Sequence, residues 1–142
     1  MSTRSHTFII DGKTAIACLY RQYDGYIDGH GQDVAKFLAG KGITNGLDGE
    51  KFNGIGDLGI RLFTALKGDA NEGGSFYLQA PDVHNLEEYN YFVSIDGDYY
   101  FADARKCSIR VKVLDYNGRT IFDGSPEELL AFSDDQVAEV DA

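Results

Sequence analysis

One stretch gathers side chains that could do chemistry: Tyr20-Arg21-Gln22-Tyr23-Asp24-Gly25-Tyr26-Ile27-Asp28-Gly29-His30-Gly31. Twelve residues hold three tyrosines, an arginine, a histidine and two aspartates, with three glycines to shape the backbone. Two readings compete. In the first, the loop holds a small phosphate- or carboxylate-bearing ligand, such as a nucleotide. Arg21 supplies the charge and the backbone N–H groups around His30 and Gly31 meet the anion ahead of a helix. Tyr20, Tyr23 or Tyr26 stacks on the ligand, and His30 beside Asp24 or Asp28 handles protons. In the second, the loop is structural: Arg21 pairs with Asp24 or Asp28, the tyrosines half-fill the core, and His30 lies at the surface. The second is preferred. No serine or cysteine nucleophile sits in a recognisable motif nearby, and Cys18 should point inwards, so a binder is favoured over an enzyme and no catalytic residue is assigned.

Other motifs carry less. Gly54-Ile55-Gly56-Asp57-Leu58-Gly59 matches the glycine spacing of a dinucleotide fingerprint. That fingerprint needs a buried strand before it, and residues 47–53 do not read as one. With 17 glycines in the chain, chance matches are common. The expected role of these glycines is close packing of a helix on the sheet, and no cofactor is expected. His6, His30 and His84 are far apart, and Asp96-Gly97-Asp98 is too short for a calcium loop. No metal site is expected either. Cys18 and Cys107 fall in apolar runs and read as buried thiols.

The start of the chain, Thr3-Arg4-Ser5, together with Tyr20-Arg21-Gln22-Tyr23-Asp24-Gly25-Tyr26 and Gly29-His30-Gly31, resembles a group of small phage and bacterial proteins. Members open with Thr-Arg-Ser and carry an aromatic-Asp-Gly-Tyr segment running into a Gly-His-Gly or similar turn. Gly73-Gly74-Ser75-Phe76-Tyr77-Leu78 is similar to the same group, and the likeness covers roughly the first eighty residues. The group has no established activity, so no residue role carries over. The resemblance implies a phage or mobile-element origin, and then the cytoplasm of a host cell as the place of action.

Charge supplies the second candidate site. The formal net charge is −10. Residues 1–71 hold eight basic and eight acidic side chains, whereas residues 72–142 hold five and fifteen. Between Lys67 and Arg105 there is no basic residue and there are eight acidic ones. Such a field repels nucleic acid, whose binding depends on Lys and Arg releasing counterions. It attracts basic proteins. Glu87, Glu88, Asp96, Asp98, Tyr99 and Tyr100 are the expected partner-binding set, with carboxylates steering and rings supplying area. The function this favours is a small acidic binding protein that occupies a basic host protein, for example inhibiting a nucleic-acid-binding or defence protein. The competing reading of the same stretch is a solvated face that keeps the chain soluble.

The elements that must position these groups read as follows. Residues 6–10 and 14–22 are strands joined by Asp11-Gly12-Lys13, an antiparallel hairpin. The second of them reads as a central strand. Val34, Phe37 and Leu38 predict a helix over 31–39, and Ile55, Leu58, Leu62, Ala65 and Leu66 another over 55–67, closed by Lys67 and Gly68. Residues 43–54 read as a loop. Strands follow at 75–79, 88–95, 99–102 and 108–114, then Asn117-Gly118 as a hairpin turn into 120–122. Ser125-Pro126-Glu127-Glu128 is a capping box opening a short helix. Strands and helices do not alternate, so the expected fold is α+β: one mostly antiparallel sheet of about six strands, with two central helices on one face. Residues 1–132 form one domain and residues 133–142 an acidic, flexible tail. No membrane span or signal peptide is visible, and the expected location is the cytoplasm. Edge strands could pair across a homodimer.

Overall fold

The computed structural model describes residues 2–68, 75–97 and 104–141, the last four without their side chains. The strands are β1 (Ser5–Asp11), β2 (Thr14–Arg21), β3 (Gly42–Thr44), β4 (Lys51–Asn53), β5 (Phe76–Gln79), β6 (Tyr89–Asp96), β7 (Ser108–Asp115) and β8 (Thr120–Gly124). The helices are α1 (Gln32–Leu38), α2 (Gly54–Lys67), α3 (Pro126–Leu130) and α4 (Asp134–Asp141). A π-helical turn, Ile27–Gly31, leads directly into α1.

Six strands form one sheet in the order β5-β2-β1-β6-β7-β8. All neighbours are antiparallel except β1 and β6. The chain leaves β5 at one edge, passes β2 and β1, and returns to the end of the sheet where β1 starts before it enters β6, which makes that pair parallel. The fold is thus the expected α+β arrangement of six strands with helices over one face.

The run Thr7-Phe8-Ile9 in β1 is fully buried on both faces because β1 is central. On the helix-bearing face, Ile9, Leu19, Tyr91, Val93, Val111 and Val113 pack against Val34, Leu38, Leu58 and Leu62. The alternation in β6 works as expected, with Tyr91 and Val93 pointing into this core. Gly59 shows what the glycines of α2 are for: a methyl there would lie 3.1 Å from two carbons of Ile9, so its bare backbone sets how closely α2 approaches the sheet. The opposite sheet face is also closed at its centre. His6, Phe8, Cys18 and Asn90 are all buried, and Phe8 stacks on Phe92 at 4.9 Å between centroids. The Asn90 side chain accepts from the Glu87 N–H at 2.9 Å and donates to its carbonyl at 2.8 Å, which fastens the incoming chain to this face.

Several local expectations change. Residues 43–54 are not all loop: β3 and β4 form a small parallel pair, with Ile43 and Phe52 buried at its centre. Its three-residue strands are too short for alternation to show in the sequence. β2 has a neighbour on both sides only over Cys18–Arg21, and Ile16, before that, is 45% exposed. Residues 134–141, expected as a tail, are helical. Ser133 and Gln136 have capping-box spacing, and the Ser133 N–H donates to the Gln136 side chain at 2.9 Å. The expected strand at 99–102 and the Gly73-Gly74 pair lie outside the described residues. Cys18 is buried and free, and burial pushes its thiol up to about 12, while Cys107 is half-buried. Among the described residues no helix is long and apolar enough to cross a membrane.

Candidate functional site

The 20–31 loop is built against the N-terminal strand. Asp24 takes a positive φ of 61°, a conformation that aspartate tolerates better than most residues. This turns the chain so that the Gly25 N–H donates to the Thr3 carbonyl at 2.9 Å. A side chain at Gly25 would meet Ser5 and the Thr3 carbonyl at 2.8 Å, so only glycine fits. The buried Tyr91 hydroxyl donates to the Gly25 carbonyl at 2.7 Å, and the His30 N–H donates to the Asp24 carbonyl at 2.8 Å. Tyr26 donates to Asp24 at 3.2 Å, and Tyr23 is 51% exposed.

His30 is not at the surface. It is fully buried, edge-on to Tyr91 at 4.8 Å. Arg21 Nη1 lies 3.1 Å from His30 Nδ1, and a guanidinium can only donate, so Nδ1 accepts. Nε2 then carries the proton and donates to Thr7 Oγ1 at 2.6 Å. The ring is neutral. Burial, reinforced by the Arg21 charge, holds it down at about 3. Arg21 pairs with Asp33 at 2.8 Å, not with Asp24 or Asp28, and its guanidinium carbon sits 5.1 Å from the Phe76 ring centre. Thr7, His30, Arg21 and Asp33 thus form one chain of hydrogen bonds from the core to the surface.

The anion position ahead of α1 is also filled. The Ile27 and Asp28 N–H groups donate to the two oxygens of Asp134 at 3.0 and 2.8 Å. The Asp134 N–H in turn donates to Asp28 at 3.1 Å. The loop therefore brings Arg21, Asp24, Tyr26, His30 and Gly31 together, but to one another and to Asp33, Tyr91 and Asp134. His30 makes no hydrogen bond to Asp24 or Asp28 through its ring, and a neutral ring with both nitrogens engaged has no proton to exchange with a ligand. The geometry favours the structural reading. Asp33 and Asp134 are the partners that sequence reasoning missed. Asp33 stands one helical turn after His30, and the Ser133–Gln136 spacing marks the start of α4.

The glycine fingerprint forms the start of α2. β4 does precede it, yet belongs to the small separate sheet. The Asn53 N–H donates to Asp57 at 2.9 Å, and Asp57 pairs with Arg61 at 3.3 Å, so a carboxylate already stands at this helix start. Among the described residues no group of three His, Cys, Asp or Glu side chains converges as metal ligands would.

The acidic set divides between two ends of β6. Glu87 and Glu88 precede the strand and Asp96 closes it eight residues later. Asp96 pairs with Arg110 at 3.4 Å, which also holds Asp123 at 2.6 Å. Asp98, Tyr99 and Tyr100 lie outside the described residues. The other end is different. Exposed Glu88 lies in the same field as Asp28 and Asp134, gathered from three distant parts of the chain. Tyr89 reports it: burial, then Asp134, Glu88 and Asp28, push its phenol up to about 12. Among the described residues no lysine or arginine forms an ion pair with these three carboxylates. A cleft of about 320 Å³ opens beside Glu88, lined by that residue with Tyr89, Asp115, Tyr116, Arg119 and Ile121, with Tyr116 67% exposed. No protein-family model, curated protein or solved structure matches the chain.

Proposed function

We propose that the protein is a small acidic binding protein and that a basic partner protein docks on the corner formed by Glu88, Asp28, Asp134 and Tyr116. The supporting observation is that Glu88, Asp28 and Asp134 all act on Tyr89 and, among the described residues, none of them is in an ion pair with a lysine or arginine, while exposed Tyr116 and a cleft lie beside Glu88. Such a corner steers a cation-rich surface towards it and offers a ring to bury on arrival. Given the resemblance to phage proteins, the proposed partner class is a host protein that itself binds nucleic acid or acts in defence, occupied and thereby inhibited.

The test begins with capture of a partner by the tagged full-length chain from host lysate, followed by titration of the purified pair. Binding should weaken as salt rises. Glu88→Lys should weaken it at least about tenfold, mainly through the association rate. Asp96→Lys, at the far end of β6, should change it little. Equal effects at both ends, or binding indifferent to salt, would rule out this corner.

A further inference from the structure

The two edges of the main sheet are not alike. At one edge β8 carries Asp123, held by Arg110, and an irregularity in its pairing with β7 at Val113/Leu114. Charges and bulges of this kind keep a sheet edge from pairing with another chain. At the other edge β5 reads Phe76-Tyr77-Leu78-Gln79, with no charge, no proline and, among the described residues, one neighbour only. Beyond half-buried Phe76 its side chains are exposed, Tyr77 by 47% and Leu78 by 77%. On the helix-bearing face β5 borders an apolar cleft of about 340 Å³, lined by Leu19, Ile60, Phe63, Phe76 and Leu78. Ile60, on the outward side of α2, is 65% exposed.

We propose that this edge pairs with the same edge of a second copy, β5 antiparallel to β5 about a two-fold axis at Leu78. Charge selects that occupant. Two bodies of net charge −10 repel wherever their acidic surfaces meet. Among the described residues this strip has no carboxylate, and its one charged lining residue is Lys67. A basic partner gains nothing here, whereas a second copy meets its own uncharged edge. The edge is also self-complementary. A two-fold places the free N–H and C=O groups of one β5 opposite those of the other and sets both Leu78 side chains on the helix-bearing face, near both copies of Ile60. A stable dimer takes about 800 Å² from each copy, about a tenth of the 8039 Å² surface of this chain. Four strand residues alone fall short, so the outward row of α2 must join the contact.

Sedimentation velocity on the full chain, from micromolar to submillimolar, tests the proposal. The expected result is a dimer that tightens as salt rises, because screening removes the repulsion between the acidic bodies. This sign is opposite to that of the partner corner, so the two readings fail independently. Leu78→Lys should raise the dissociation constant by at least about a hundredfold, since both copies lose a buried leucine at once. Its melting temperature at low concentration should stay near the parent's, because Leu78 is exposed in the single chain. Glu88→Lys should leave the dimer intact. Leu78→Cys should oxidise to a covalent dimer that the parent, with Cys18 and Cys107 alone, does not form. A chain that stays monomeric throughout, or a dimer unaffected by Leu78→Lys, overturns the proposal.

Discussion

His30 shows how a residue with reactive chemistry becomes a structural one. Arg21 donates to one nitrogen and Thr7 accepts from the other, so the ring is fixed as one neutral tautomer. Its folded-state value of about 3 lies below the ordinary 6.5. The unfolded chain therefore binds a proton that the folded chain excludes. This contribution to stability is complete above pH 6.5 and is lost as pH falls from there towards 3. The slope is at most about 1.4 kcal/mol per pH unit. Asp123 is held low by its hydrogen bond from Arg110 and Glu127 by the Gly40 N–H, so their losses fall below the ordinary carboxylate values of 3.8 and 4.5. Urea unfolding between about pH 6.5 and about pH 5 isolates the histidine from them. The parent should lose stability across that window and His30→Gln should not. Thr7→Val leaves Nε2–H without an acceptor and should destabilise the fold by about 1–3 kcal/mol at neutral pH. Parallel pH profiles for parent and His30→Gln would show that the ring is not buried and neutral.

At the scale of elements, Asp134 joins two ends of the chain. Its carboxylate takes two N–H groups of the π-helical turn, and its own N–H is held by Asp28. Carboxylates at helix starts are stabilising because donors there lack partners within the helix. Asp134→Ala should cost about 1–2 kcal/mol, and hydrogen exchange should speed up at the Ile27 and Asp28 amides. An unchanged exchange pattern at both amides would mean that α4 does not dock. Helix α2 offers a paired test of packing. Gly59→Ala drives a methyl against Ile9, which is fully buried and has little room to move, and should destabilise by about 1–3 kcal/mol. Gly56→Ala meets nothing within 4 Å and should gain up to about 1 kcal/mol from helix propensity. Thermal melts of the two variants should move in opposite directions.

Across the whole molecule, charge and apolar surface are segregated. The carboxylates gather where β6 begins, and the uncharged edge lies at β5, two strands beyond β1. Salt should act on the two with opposite sign, so one titration over ionic strength separates partner binding from self-association. Composition already disfavours nucleic acid as a partner, because the excess of carboxylates is large. The chain should accordingly show no shift of duplex DNA in a gel at low salt, the condition most favourable to electrostatic binding. A shift there would mean that a local basic surface outweighs the net charge.

Periodicity and turn chemistry were enough to read most elements. β6 alternates, α2 ends in Lys67 and Gly68, and the Ser125 capping box forms with both of its hydrogen bonds. Those signals are local, as are the order of elements and the net charge, and together they determined the α+β class. Tertiary structure decided what local signals do not encode. His30 is fully buried because Thr7 and Tyr91, from two other strands, enclose it. Arg21 turns to Asp33, and Asp134 crosses more than a hundred residues to fill the one anion position the sequence advertised. Glu88 and Asp96 are near in sequence yet stand at opposite ends of a strand, since each residue of a strand advances about 3.3 Å. Which carboxylates share a field, and which edge is left bare, depends on distances across the sheet. Those distances follow from strand order, which spacing along the chain does not specify.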